Sequence, residues 1–435
     1  MSTPKILSVC TSDVFGGAAR AAYRIHQSLK MLGVDSHMFV KDKGSQDSDV
    51  IPLATFVPRN SFYKTFDLVR TKISNKISHY RWNRYPNRDK VFMSDLRATD
   101  IHGALQKLDY DVLHLHWINQ RFISLDKLPK DRPIVWTLHD SWPFCGVCHY
   151  FIDCTRYQTA CGNCPYLHSS NENDLSHQIW SKKFLAYKDL DLHIVTPSRW
   201  LGDCAKKSSL LGRFPVAVIP NGLDTNTYKP IKKQDLSPKW SKLREQTAGK
   251  KIILYGAVAA TTDMVKGFDK LLSALQYLEK SGRVDDIQLV VFGADEAELK
   301  MDLNIPIHYV GYVSETEELV SLYNMADVMV VPSLSETFGQ TASEALSCGI
   351  PVVAFRCTGL VDIVDHKING YLANPYNPED LAEGIRWCLD KNADNRLGNF
   401  GRKKVLEKFA PEVVGKQYLD LYISAYENAL HKRKS

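Results

Sequence analysis

Val328-Met329-Val330-Val331-Pro332-Ser333-Leu334-Ser335-Glu336-Thr337-Phe338-Gly339-Gln340-Thr341-Ala342-Ser343-Glu344-Ala345 passes from an apolar strand through a polar loop into a helix. A short, wholly apolar run such as Val328–Val331 fits a strand covered on both faces, as in a parallel sheet. Gly339 stands at the entrance of a helix predicted over Gln340–Ser347. Glu336 falls in the loop, and Glu344 lies about a turn and a half into that helix.

The same alternation extends outward in both directions. In the second half, Lys251–Tyr255, Gln288–Phe292, Ile307–Val310, Val328–Val331 and Val352–Phe355 read as strands, with helices such as Phe268–Lys280 and Glu315–Asn324 between them. In the first half the strands are Lys5–Cys10, His37–Lys41, Asp111–Trp117, Pro133–His139, Asp191–Thr196 and Val216–Pro220. Ala18–Leu32 reads as a helix that stops at Gly33. Pro220-Asn221-Gly222 and the Lys-rich Lys229–Lys250 read as a linker. Helices follow Pro378 and Pro411. The expected fold class is α/β, with two doubly wound, Rossmann-like domains facing a central cleft. In such sheets ligands bind beyond the carboxyl ends of the strands.

Composition agrees with a globular chain. The 435 residues are 44% apolar and 24% charged, which excludes a disordered chain or a small disulfide scaffold. No segment reaches the roughly 20 apolar residues that span a bilayer. The apolar run after Lys5 is too short for a signal peptide. A cytoplasmic location is therefore expected. The net charge of +6 is mild. Between Arg59 and Lys90, however, nine Lys or Arg face only Asp67 and Asp89, a local +7. Phe62, Tyr63, Phe66, Tyr80, Trp82 and Tyr85 are interleaved there. That composition suits an anionic membrane surface on the inner face of the membrane, or a solvated helix pair with a packed aromatic face. No nucleic-acid module accompanies it, so nucleic acid is not an expected partner.

Free N–H groups at Gly339 and the positive end of the helix dipole suit a phosphate. Glu344 would then reach a ribose hydroxyl, and Glu336 would accept hydrogen bonds from a sugar. The string resembles the Glu-x7-Glu signature of retaining glycosyltransferases of family 4, which have the GT-B fold. Gly16-Gly17 after the first strand, Pro220-Asn221-Gly222-Leu223-Asp224, Lys266-Gly267 and Ser347-Cys348-Gly349-Ile350-Pro351 resemble further stretches of that family.

The resemblance implies an acceptor-side domain over 1–222, completed by a helix over 411–435, and a donor-binding domain over 223–410. It implies a nucleoside diphosphate sugar donor (a UDP- or GDP-sugar) and a glycan or lipid-linked oligosaccharide acceptor in cell-surface polysaccharide synthesis. Catalytic roles fall to His139, Lys266 and Glu336. Donor contacts fall to Gly16, Gly17, Asp140, Lys266, Phe338, Gly339, Gln340, Thr341 and Glu344. The family usually has an Arg shortly before the Lys, and Gly256–Thr262 contains none. Arg199 is a candidate replacement. No Asp-x-Asp motif is evident, so no cofactor is expected to be required for catalysis. A nucleotide-sugar epimerase of the same fold and a non-catalytic glycan-binding or scaffold protein are the alternatives. His114 and His116 alternate on one strand, and a packed or acceptor-side role is expected for them rather than metal ligation.

Five of the ten cysteines lie between Cys145 and Cys164. Cys145/Cys148 and Cys161/Cys164 are Cys-x-x-Cys pairs, the spacing of a structural zinc knuckle. Cysteines without metal, reduced or disulfide-linked, are the alternative. The resemblance favours Cys148, Cys154, Cys161 and Cys164 as ligands of a structural zinc, with Cys145 as a substitute, in an insert spanning 142–165.

Overall fold

The computed structural model describes residues 3–56, 72–73, 75–89, 93–96, 101–247, 249–282, 286–297, 302–392 and 394–434. The chain divides into two compact units, Met1–Ile219 with Gly415–Ser435, and Pro220–Val414.

The first unit opens with β1 (Ile6–Ser12), α1 (Gly17–Met31), β2 (Ser36–Asp42) and β3 (Val50–Pro52). β4 (Val112–Leu115), β5 (Ile134–Thr137), α2 (Leu175–Tyr187), β6 (Leu192–Thr196), α3 (Arg199–Lys207) and β7 (Val216–Val218) follow. The seven strands are all parallel, in the order β3-β2-β1-β4-β5-β6-β7. α1 buries Ala19, Ala21, Ala22, Ile25 and Leu29 on one stripe, the 3.6-residue period of a helix on a sheet.

The second unit contains α4 (Pro238–Gln246), β8 (Lys251–Gly256), α5 (Phe268–Lys280), β9 (Ile287–Phe292), β10 (Ile307–Tyr309) and α6 (Thr316–Met325). After these come β11 (Val328–Val331), α7 (Gln340–Ser347), β12 (Val352–Phe355), β13 (Gly370–Ala373), α8 (Pro378–Lys391) and α9 (Arg396–Lys408). Its six parallel strands run β10-β9-β8-β11-β12-β13. Each sheet is therefore doubly wound about one reversal of strand order, at β1/β4 and at β8/β11.

Two local expectations need correction. The Lys229–Lys250 stretch is not an open linker. Within it α4 packs on α6: Trp240 is buried and donates from Nε1 to the Glu318 carbonyl at 2.9 Å. Arg244 pairs with Asp327 at 3.0 Å. One buried aromatic outweighs the polar composition around it. The short edge strands β3 and β13 also exceed the strands expected from apolar runs.

The final helix, α10 (Pro411–Lys434), crosses the boundary of the two units, and its residues from Gly415 onward belong to the first. It buries Tyr418, Tyr422 and Ala425. Tyr418 Oη lies 3.0 Å from Thr137 Oγ1, and Tyr422 Oη lies 2.7 Å from His114 Nδ1. Removing the Tyr422 hydroxyl strands a buried ring nitrogen. Tyr422→Phe is expected to cost about 1–3 kcal/mol, read as a lower urea midpoint at unchanged slope. An unmoved midpoint would show that the bond contributes nothing.

Candidate functional site

In the second unit the site forms where strand order reverses. β8 leads into a loop ending in a single helical turn, Met264–Lys266, capped at Val265 N–H by Asp263 Oδ1 at 3.0 Å. β11 leads into the loop carrying Glu336. The two loops are joined backbone to backbone, Leu334 N–H donating to Val265 O at 2.8 Å. Gly267 is required beside that joint. Its φ is +69°, and a Cβ there would stand 2.0 Å from the Pro332 carbonyl oxygen.

This joint sets Lys266 against Glu336. Lys266 Nζ donates to Glu336 Oε1 at 2.6 Å, with side chains 24% and 19% exposed. Ser333 Oγ donates to the same oxygen at 3.2 Å. The Glu336 N–H is held by Thr358 Oγ1 at 3.0 Å, and its carbonyl accepts from Gly359 N–H at 2.8 Å. Glu336 is thus fixed at backbone and side chain, while both charged tips keep contact with solvent.

α7 starts next to this pair. Its N-cap, Gly339, has φ +104° and offers no side-chain cap. The positive end of the helix dipole there suits an anion. Phe338 is buried with its ring 5.3 Å from Phe409, which anchors the helix entrance. Gln340 and Thr341 in the first turn are partly exposed. Glu344 is buried, and its Oε2 accepts from Tyr323 Oη at 2.9 Å. Burial first, and Glu344 second, push the Tyr323 hydroxyl well above its usual range. That phenol therefore stays protonated as a donor.

In the first unit, Gly16 (φ +92°) and Gly17 lie exposed at the start of α1, directly after β1. Their loop is pinned by Asp13, which accepts from Gly44 and Ser45 N–H at 2.8 and 3.0 Å. Arg199 is exposed in the first turn of α3, just beyond β6, with Ser198 as N-cap.

His139 and Asp140 follow β5. His139 Nε2 lies 3.0 Å from His116 Nδ1, and the rings are stacked at 25°. Burial pulls His139 down to about 4, so it is neutral near pH 7. His114 and His116 are drawn well below their usual range, also chiefly by burial. His114 Nε2 is bonded to Thr137 Oγ1 at 2.8 Å. Asp140 is a strut. Its Oδ2 accepts from Trp117 Nε1 at 2.7 Å and pairs with His149 Nδ1 at 2.6 Å, and its Oδ1 accepts from Trp142 N–H at 2.9 Å. Burial opposes its ionisation, but His149 and these hydrogen bonds hold it below the ordinary carboxylate range.

The insert brings its five cysteines together. Cys145, Cys148, Cys154, Cys161 and Cys164 line one small cavity with Phe151, Tyr157 and Ser176, and all are free thiols. Lys183 locks α2 beneath them. It is fully buried and donates to the carbonyls of Trp142, Cys145 and Gly146. Among the described residues no group of three or more His, Cys, Asp or Glu stands at metal-binding geometry.

Of the basic 59–90 segment, residues 72–73 and 75–89 are described; the remainder lies outside the described residues. Residues 75–83 are helical, and Ile73, Ile77 and Tyr80 are exposed at 57%, 57% and 72%. No helix among the described residues is long and apolar enough to cross a membrane.

Several site partners had no sequence signal. Thr358, Tyr323 and His149 reach their partners through the fold, at separations that no local motif marks.

Comparison with known proteins follows the same division. The family model described as Glycosyltransferase Family 4 matches residues 15–227, and that described as Glycosyl transferases group 1 matches residues 239–404. The putative colanic acid biosynthesis glycosyl transferase WcaC of Escherichia coli is 27% identical over 95% of this chain and 97% of its own length. An uncharacterised glycosyltransferase of Methanocaldococcus jannaschii is 25% identical over 88% of this chain and 91% of its own. Among solved structures, Anabaena HepE in complex with UDP and glucose superposes with a TM-score of 0.62 at 18% identity, over 97% of this chain and all of that one. WaaG, a glycosyltransferase involved in lipopolysaccharide biosynthesis, gives 0.61 at 16% identity, over 96% and 99%. The chain carries the two domains of a glycosyltransferase of the group 1 and family 4 type, on a GT-B fold.

Proposed function

We propose that this chain is a retaining glycosyltransferase that moves a hexose-type sugar from a UDP- or GDP-sugar to a hydroxyl of a glycan or lipid-linked oligosaccharide. The observation that carries the reading is the Lys266–Glu336 pair beside the uncapped start of α7. It offers, within one unit, a cation and amide donors for a diphosphate and a carboxylate for sugar hydroxyls. HepE, a neighbour in fold, has been solved with UDP and with UDP-glucose. The relatedness to WcaC supports a place in cell-surface polysaccharide synthesis.

In the proposed reaction the bond between the anomeric carbon and the diphosphate oxygen breaks, and the acceptor oxygen bonds to the same face. The acceptor proton passes to the departing phosphate. Lys266 and the α7 amides stabilise the charge growing on that phosphate. Glu336 accepts hydrogen bonds from the sugar and Glu344 from the ribose. These cationic and amide donors do the neutralising work, so the reaction needs no added cofactor.

Lys266→Ala and Glu336→Ala are each expected to lower transfer on the order of 100-fold or more with an unchanged melting midpoint. The assay pairs calorimetry against UDP- and GDP-sugars with mass spectrometry of products. Wild-type turnover in both variants would overturn the site. Conversion of the donor to an epimer without acceptor would favour the epimerase reading.

A structural zinc in the insert is part of the proposal. Five soft sulfur donors around one cavity are the right chemistry for it. Cys148, Cys154, Cys161 and Cys164 would hold the ion after drawing inward and losing protons, with Cys145 in reserve. Purified protein is expected to contain about one zinc per chain, in keeping with a four-thiolate structural site, and to melt lower after chelation. Zinc-free protein with an unchanged midpoint would refute the ion.

Work at the cytoplasmic membrane face is proposed from the 75–83 helix. Exposed Ile73, Ile77 and Tyr80 recur at spacings of four and three, flanked by exposed Lys72, Lys76 and Arg84. Such a face suits shallow insertion among anionic headgroups. Vesicles containing phosphatidylglycerol should carry the protein in flotation, and Ile77→Asp with Lys76→Glu should release it. Equal flotation with purely zwitterionic vesicles would refute the electrostatic part.

A further inference from the structure

Thr358 stands in the turn that follows β12, with φ +52°. That is the left-handed region, where a side chain branched at Cβ crowds its own backbone. Glycine adopts it without that crowding. A β-branched residue persists there when its surroundings hold it, and such outliers gather at functional sites. The contacts of Thr358 show what this conformation achieves.

Thr358 Oγ1 accepts from the Glu336 N–H at 3.0 Å. The next amide, Gly359 N–H, donates to the Glu336 carbonyl at 2.8 Å. Two successive residues of one turn thus bond Glu336 on both sides of its Cα. Just before them, Cys357 Sγ lies 3.7 and 3.8 Å from the carbonyl oxygens of Ser333 and Leu334. The β11 loop therefore lies on the 357–359 turn as on a template. The fit is close, since a Cβ on Gly359 would stand 2.4 Å from the Thr337 carbonyl oxygen. Lys266 and Ser333 bond the Glu336 carboxylate, whereas Thr358 and Gly359 bond the peptide groups from which that side chain starts. A glycine at 358 would relax the turn but could not accept the N–H. Threonine keeps the acceptor and carries the strain.

We propose that Thr358 is a positioning residue: its hydroxyl, presented by a left-handed backbone, fixes the Glu336 peptide and so aims the Glu336 carboxylate at the hydroxyls of the donor sugar. This rests on the reading of Glu336 as a sugar contact, and it names what holds that contact in place. Thr358 needs no contact with the sugar to do so. Every residue involved belongs to the second unit.

The test has two readouts on the full chain. Hydrogen exchange, resolved to the Glu336 amide by fragment mass spectrometry, reads the clamp without turnover. kcat/KM for the nucleotide sugar reads its consequence. Thr358→Val keeps the branched shape and removes the acceptor. Its Glu336 amide should exchange about tenfold faster, and kcat/KM should fall about tenfold. Thr358→Gly, free of the crowding, carries the same expectation should the valine variant fail to fold. Thr358→Ser keeps the hydroxyl and should stay close to wild type on both readouts. Affinity for UDP or GDP alone should hold in all three, because Glu336 meets the sugar and not the nucleotide. An unchanged Glu336 exchange rate without the hydroxyl overturns the proposal, as does serine behaving like valine. Wild-type kcat/KM without the hydroxyl, beside a slowed Glu336→Ala, overturns it too. So does a loss of nucleotide affinity as large as the loss of turnover, which marks a general loosening of the unit. If Glu336→Ala keeps full transfer while exchange still depends on the hydroxyl, the sugar-contact reading fails and the clamp stands.

Discussion

Parallel strands can only be joined by crossovers, and in each unit the crossovers run outward in both directions from one pair of neighbouring strands. At β1/β4 and β8/β11 the chain leaves adjacent strands toward opposite faces, which opens a crevice at their carboxyl ends. The residues singled out cluster at those ends. Gly16 follows β1, His116 follows β4, Lys266 follows β8 and Glu336 follows β11. The chemistry is therefore a consequence of winding. Lys266 and Glu336 are 70 residues apart in sequence, and the Leu334–Val265 backbone bond with the tight passage at Gly267 makes them neighbours.

Much of this was legible beforehand, because buried parallel strands write themselves as unbroken apolar runs. Val328–Val331 and Val352–Phe355 occupy the strand limits expected from their composition. Edge strands lack that signature. β3 has three residues and ends in Pro52, and β13 contains a glycine. α4 was hidden for a different reason. Its lysines and glutamate suggested solvent, while its hold on the unit comes from buried Trp240, helped by the Arg244–Asp327 pair. In the site, the loop Glu was visible from its place between an apolar strand and a helix, and the Lys-Gly pair from the family resemblance. Thr358 and Tyr323 were not, since each is defined only by what the fold sets opposite it.

The first unit keeps an unusually polar interior where α10 docks. Thr137, His114, Tyr418 and Tyr422 are all buried and bonded to one another. Such a network contributes little net energy beyond what an apolar contact would, but it penalises misalignment, because any slip of the helix strands several polar groups together. Register is thereby specified for a helix whose sequence alone would tolerate sliding.

The Lys266–Glu336 bond has a further consequence for selectivity. The two side chains neutralise each other, so the pair presents no bare charge to passing ions. Inorganic phosphate could satisfy the ammonium only by orphaning the carboxylate, and a free sugar the reverse. A molecule carrying an anion and hydroxyls at the right separation exchanges both partners at once and leaves nothing unmet. For the proposed donor the pair would act as a two-key lock, in which half a ligand meets a penalty that the whole one avoids.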